Sequence, residues 1–124
     1  RDWGFAGDYV EGMWMMLQNE TPEDWVLATG ESITVKEFAE AAFKAADLEW
    51  DKYVEISEKY FRPNEVEYLL GDYSKAKNKL GWSPKTSISD LVNMMVENDL
   101  LLAQQEKVLM EKNLLQPTWD NPKI

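Results

Sequence analysis

No cysteine and no histidine occur anywhere in the 124 residues. That removes disulfides, thiolate nucleophiles, imidazole acid–base chemistry and the commonest zinc ligands, so no metal site is expected. Basic residues are scarce as well, 13 against 23 acidic, and the net charge of −10 would repel a phosphate backbone or an anionic bilayer. Nucleic acid and membrane are therefore excluded as expected partners. No apolar run approaches the roughly 18 residues of a transmembrane helix, and Arg1-Asp2-Trp3-Gly4 has none of the build of a signal peptide. A soluble cytoplasmic protein is the expectation. The six glycines, at positions 4, 7, 12, 30, 71 and 81, never fall into the Gly-x-Gly-x-x-Gly or Gly-x-x-Gly-x-x-Gly turn of a dinucleotide site. No cofactor is expected to be held by this chain alone.

What is present suits one mixed α/β unit with a real core, 44% of the residues being apolar. Helical spacing of Ala6, Tyr9, Val10, Met13, Met16 and Leu17 predicts an amphipathic helix over 6–19. Met13, Met15 and Met16 are read as core filler in preference to a partner-binding surface. Trp25-Val26-Leu27-Ala28-Thr29, closed by Gly30, has the form of a buried strand, and Trp50–Ile56 alternates loosely enough for a second. Thr34-Val35-Lys36-Glu37 has the order of a capping box and opens a helix with Phe38, Ala39, Ala42, Phe43 and Ala46 on one face. A short helix follows at Ser74–Leu80, capped by Asp72 or Ser74 and stopped by Gly81. Ser87 caps a long helix from Ile88 that turns Leu91, Val92 and Met95 to the core, with a bend or a change of packing partner near Glu97-Asn98-Asp99. Gly4 and Gly7 read as turn residues ahead of the first helix, and Glu23/Asp24 and Glu31/Glu37 as solvated turns and a cap, not as catalytic pairs. The chain starts without methionine and enters a helical pattern within a few residues; together with six tryptophans, this reads as a fragment or processed piece, some of whose aromatic residues face an absent partner.

Three segments carry most of the functional information. They are Arg1-Asp2-Trp3-Gly4 with Asp8-Tyr9-Val10, Tyr60-Phe61-Arg62-Pro63-Asn64-Glu65-Val66, and Leu70-Gly71-Asp72-Tyr73-Ser74-Lys75-Ala76 ending in Leu80-Gly81-Trp82. With Val26–Glu31 they resemble, in order and spacing over positions 1 to 100, the carboxy-terminal third of the GDP-mannose 4,6-dehydratases, extended short-chain dehydrogenase/reductases. The resemblance implies the small substrate-binding domain of such an enzyme, its NADP-holding Rossmann domain absent. It also implies GDP-mannose as ligand, NADP as cofactor only of the full-length enzyme, and a homo-oligomer in full-length form. Residues 101–124 lie beyond the match and read as a helix end and an irregular arm.

A diphosphate needs fixed cations and a nucleoside needs an acceptor for its hydroxyls; arginine suits the first by its bidentate geometry. Arg1 and Arg62 are the only arginines, and Glu65 lies three residues after the second. In the family these motif positions contact the GDP moiety, so Arg1, Arg62 and Glu65 are the expected substrate-binding residues, with no catalytic residue in this chain. Against this stands a local ion pair of Arg62 and Glu65 with a loose Arg1. Tyr73 and Lys77 match the bare Tyr-x-x-x-Lys pattern of the superfamily, but Tyr73 opens a short helix in another part of the alignment, and the match is read as coincidence. Phe5 in place of a common histidine, Ser57-Glu58-Lys59 in place of Asp-Pro-Arg and Asn64 in place of threonine depart from the family pattern. Two alternatives stay open. One is a free-standing acidic interaction module descended from such an enzyme; the other is a two-chain enzyme whose Rossmann half is a separate polypeptide.

Overall fold

Trp82 is the residue around which the chain closes in the computed structural model, which describes residues 1–60, 66 and 68–115. Its side chain is 2% exposed, and its indole N–H donates to the Asp8 carbonyl at 2.8 Å. The rings of Tyr9 and Tyr73 stand 6.2 and 5.9 Å away, the latter edge-on. Helix α1, Ala6–Leu17, can approach this closely because position 12 is glycine. A Cβ there would sit 2.8 Å from a Leu27 methyl and 2.9 Å from the Trp82 indole nitrogen, closer than real carbon contacts allow.

The remaining helices are α2 (Val35–Ala45), α3 (Ser74–Leu80) and α4 (Ile88–Glu111), with single 3₁₀ turns at Trp50–Lys52 and Glu58–Tyr60. Both halves of the expected capping box at Thr34 and Glu37 form. In α3 the Asp72 carboxylate accepts from the Ser74 N–H at 2.8 Å, Tyr73 occupies the N-cap position, and Gly81 ends the helix at φ +73°. Ala76 is fully buried on its inner face. The acidic turn before Trp25 is clamped to α3: Glu23 lies 2.9 Å from Lys75 and 2.8 Å from Lys79, and the Lys75 ammonium sits 4.8 Å from the Trp25 ring. Helices α2 and α4 pack on one another around Phe43, Ala46, Val96 and Ala103, and Trp3 meets Phe38 edge-on at 4.5 Å.

Several expectations are corrected. No strand exists among the described residues, so this part of the chain is helical and not mixed α/β. Trp25–Thr29 carries no ladder: Leu69–Gly71 comes up against it at Ala28, but no backbone hydrogen bond joins the two among the described residues. Trp50–Ile56 becomes a 3₁₀ turn followed by irregular chain. Gly7 lies inside α1, not ahead of it. Helix α4 runs unbroken to Glu111; its neighbours change near Glu97-Asn98-Asp99, from Trp3 and Phe38 beside Leu91 and Met95 to Phe43 and Ala46 beside Val96 and Ala103, and Met95 is half-exposed. On α1 the buried residues are Asp8 and Gly12, whereas Met13 is 56% and Trp14 62% exposed, so Met13 is not core filler. Only Ala28, Ala76, Trp82 and Val92 are buried apolar residues among those described. No helix among the described residues is long and apolar enough to cross a membrane.

Candidate functional site

The first residues of the chain meet three distant segments at one junction. Arg1 exchanges backbone hydrogen bonds with Ile33, the return bond from the Ile33 N–H measuring 3.0 Å. Its guanidinium Nη1 donates to the Val66 carbonyl at 2.7 Å, across 65 positions of sequence. The Asp2 carboxylate turns the other way. One oxygen accepts the Thr29 N–H at 2.8 Å and the Thr29 hydroxyl; the other accepts the N–H groups of Gly30 and Gly71, each at 3.1 Å. Burial would raise the Asp2 pKa, but these donors together outweigh it and hold the carboxyl below its ordinary value.

Gly71 belongs to the same clasp for a steric reason. A Cβ at that position would lie 2.2 Å from the Ala28 Cβ, so the two backbones can come together beneath Asp2 only with glycine there. Tyr9 flanks the junction and is pushed above the usual tyrosine range, by burial first and then by the charges of Asp2 and Asp8. A second carboxylate, Asp8, is buried at 7% exposure and accepts the N–H groups of Lys85 and Thr86, each at 2.9 Å, through one oxygen. Burial opposes its ionisation; the two N–H bonds, the Thr86 hydroxyl and the Lys85 charge prevail, and its pKa is lowered. Asp8 thus fixes the loop that delivers Ser87 to the start of α4.

Two cavities adjoin Arg1. One, of about 270 Å³, is lined by Trp3, Glu31, Tyr73, Lys85 and Thr86; the other, of about 330 Å³, by Tyr9, Leu27, Leu70 and Gly71. Arg1 stands at their shared rim with a tyrosine in each; the first is lined mainly by polar groups, Glu31 and Lys85 among them, and the second mainly by apolar ones. No group of three or more potential metal-ligating side chains is found among the described residues. Tyr73 packs on Trp82 and sits at the N-cap position of α3.

Of the three expected binding residues, Arg1 is placed at this junction, while Arg62 and Glu65 lie outside the described residues, as does the loop centred on Arg62-Pro63. What the structure brings together is the guanidinium of Arg1 and the carbonyl of the residue directly after Glu65. Sequence reasoning did not single out Asp2, Thr29 or Gly71. The signal for Asp2 was its place beside Arg1 in the motif; nothing local marks Thr29 as its partner.

Comparison with known proteins agrees with the motif reading. The family model described as GDP-mannose 4,6 dehydratase matches residues 1–95. GDP-mannose 4,6 dehydratase 1 of Arabidopsis thaliana is 60% identical over 111 residues, covering 90% of this chain and 31% of the relative. The Dictyostelium discoideum enzyme of that name is 50% identical (81% and 33% covered), and the Homo sapiens one 44% identical (82% and 32%). The chain belongs to the GDP-mannose 4,6 dehydratase family and spans about a third of the length of the curated relatives it matches.

Proposed function

We propose that this chain is the substrate-binding part of an NADP-dependent lyase that converts GDP-mannose to GDP-4-keto-6-deoxymannose, a step toward GDP-fucose and related deoxysugars. In this reading Arg1 and Arg62 neutralise the diphosphate and Glu65 accepts a hydrogen bond from the nucleoside. Hydride and proton transfer fall to residues outside this chain. NADP does not fit these residues, since none of the six glycines forms a pyrophosphate turn. The full-length enzyme is cytoplasmic and homo-oligomeric in the same reading, residues 1–100 forming the GDP-sugar region and 101–124 a helix end and arm.

The observation that supports it most is the 2.7 Å hydrogen bond from Arg1 to Val66, which joins the first motif to the end of the second. A site for one diphosphate requires the two arginines to converge although 60 residues separate them, and this contact is the kind that convergence would need. The test is a segment exchange in which this chain replaces the corresponding third of the Arabidopsis relative. The exchanged enzyme is expected to dehydrate GDP-mannose, and Arg62→Ala in it to weaken GDP-mannose binding by about 10- to 150-fold, as loss of a charge-assisted hydrogen bond does. A folded, NADP-loaded exchange product that neither binds GDP-mannose nor turns it over would reject the proposal.

The exposed apolar face of α1, with Val10, Met13, Trp14 and Leu17, supports one rival, an acidic interaction module that docks another protein. It predicts a monodisperse chain whose segment confers no GDP-mannose affinity in the exchange.

A further inference from the structure

The Asp2 carboxylate is placed beside the arginine that the nucleotide reading puts on the diphosphate, and a free carboxylate there would be an obvious acceptor for ligand hydroxyls. Its acceptor positions are all taken. A carboxylate offers about four lone-pair sites, and the Thr29 N–H, the Thr29 hydroxyl, the Gly30 N–H and the Gly71 N–H fill two on each oxygen. Asp2 therefore has nothing left with which to grip a ligand. It does hold two turns to the first residues of the chain. One of them, at Gly71, lies five positions after the carbonyl that receives the Arg1 guanidinium.

We propose that Asp2 is a positioning residue for nucleotide binding: by tying Gly71 and the Thr29–Gly30 turn to the start of the chain, it fixes the segment through Val66 against which Arg1 aims its guanidinium. The inference rests on the GDP-mannose reading above and adds to it a residue that never touches the ligand. Among the described residues Arg1 is held by its backbone to Ile33 and by its side chain to Val66. Release of Gly71 loosens the Val66 contact while leaving the one to Ile33, so the guanidinium keeps its charge but loses one of the contacts that direct it. The close approach of Gly71 to Ala28 is part of the same device, because it lets a single carboxylate reach N–H groups 42 positions apart, on Thr29 and Gly71.

Asparagine cannot take over this role. Its amide nitrogen would face either the Thr29 pair of donors or the N–H groups of Gly30 and Gly71, donor against donor. Thr29→Val is the gentler variant at Asp2: it removes the hydroxyl donor and leaves three N–H bonds to the carboxylate, while the exposed Glu31 N–H loses its bond to the same hydroxyl.

The experiment measures GDP and guanosine binding to the full-length exchange enzyme, loaded with NADP, for the parent, Asp2→Asn, Thr29→Val, Arg1→Ala and the Arg1→Ala/Asp2→Asn double variant. Asp2→Asn is expected to weaken GDP by roughly tenfold, within the coupling range of residues sharing one network, and to leave guanosine within twofold, on the order of measurement error. On the Arg1→Ala background the same change is expected to cost GDP affinity nothing further. Equal loss of GDP and guanosine, or a loss that simply adds to that of Arg1→Ala, would overturn the positioning role and mark Asp2 as a general structural residue. If Asp2→Asn fails to fold, Thr29→Val carries the same comparison at smaller amplitude, and a guanosine loss equal to its GDP loss has the same meaning. Absence of GDP binding by the parent would overturn the nucleotide reading, and this inference with it, which separates the two failures.

Discussion

Two aspartates in the first eight residues hold the structure together by different geometries, and the difference predicts how each responds to the same substitution. Asp8 accepts both of its backbone N–H groups through a single oxygen, so an asparagine can present its carbonyl in the same place. Asp8→Asn is expected to keep most of the stability at neutral pH, while Asp8→Ala loses roughly 2–4 kcal/mol, because two N–H groups are left unpaired at about 1–3 kcal/mol each. Thermal denaturation of the two variants beside the parent checks this, and equal losses would refute the single-oxygen account. The pH dependence follows from the directions of the shifts. Both Asp2 and Asp8 are depressed in the folded state, so the unfolded chain binds protons more readily than the folded one. Their contribution is complete above the ordinary aspartate value of about 3.9, declines below it, and is gone once the pH falls through the depressed folded values. Acid titration followed by tryptophan fluorescence should show that limb in the parent and a flatter one in Asp8→Asn. At this scale the sequence exposed the motifs but not their partners. Asp2 was in plain view next to Arg1, yet Thr29, Gly30 and Gly71 reach it from 27 to 69 positions away, a distance over which no local pattern carries information.

At the scale of elements, the parts legible in advance are those whose causes are local. The capping box at Thr34, the serine cap at Ser87 and the glycine stop at Gly81 each depend on residues within one turn, and each forms. Ser87→Ala removes the side-chain acceptor of the Asp90 N–H, which measures 3.1 Å, and is expected to cost about 1 kcal/mol, read as a lowered denaturation midpoint. Glycine in its place should cost only a few tenths. The strands were misread for the complementary reason. Trp25–Thr29 has the apolar, bounded pattern of a buried strand, but a ladder needs paired backbone hydrogen bonds, and Leu69–Gly71, although it lies against Ala28, makes none with it among the described residues. Gly12 illustrates a non-local cause inside a correctly expected helix. Within α1 it only lowers helix propensity, and its purpose appears once Leu27 and Trp82 are seen pressing on it. Gly12→Ala is therefore expected to destabilise, contrary to its helix propensity, since the added methyl must displace a fully buried tryptophan.

For the whole molecule, the decisive contrast is between its apolar content and how little of it is covered. Leu17 is 81% exposed, and Val10, Met13 and Trp14 share that outward face of α1, while among the described residues the buried apolar set is Trp82, Val92, Ala28 and Ala76. A patch of this kind marks an interaction surface, and its chemistry fits a partner that is itself apolar better than water. The nucleotide reading assigns that partner to the remaining two-thirds of the enzyme, a reading compatible with the chain spanning about a third of its relatives. Trp14→Glu then has opposite consequences in two settings. In the chain alone the side chain already faces solvent, so the denaturation midpoint should stay within about 0.5 kcal/mol of the parent, as for ordinary surface changes. In the full-length exchange enzyme the same charge would be buried against apolar surface without a counter-ion, and soluble yield and thermal stability should fall sharply. Val92→Ala is the internal control, because Val92 is buried within this chain and its loss should register in both settings. If Trp14→Glu proved harmless in the exchange enzyme too, the α1 face would lie open to solvent there, and the interaction-module reading would gain the surface it needs.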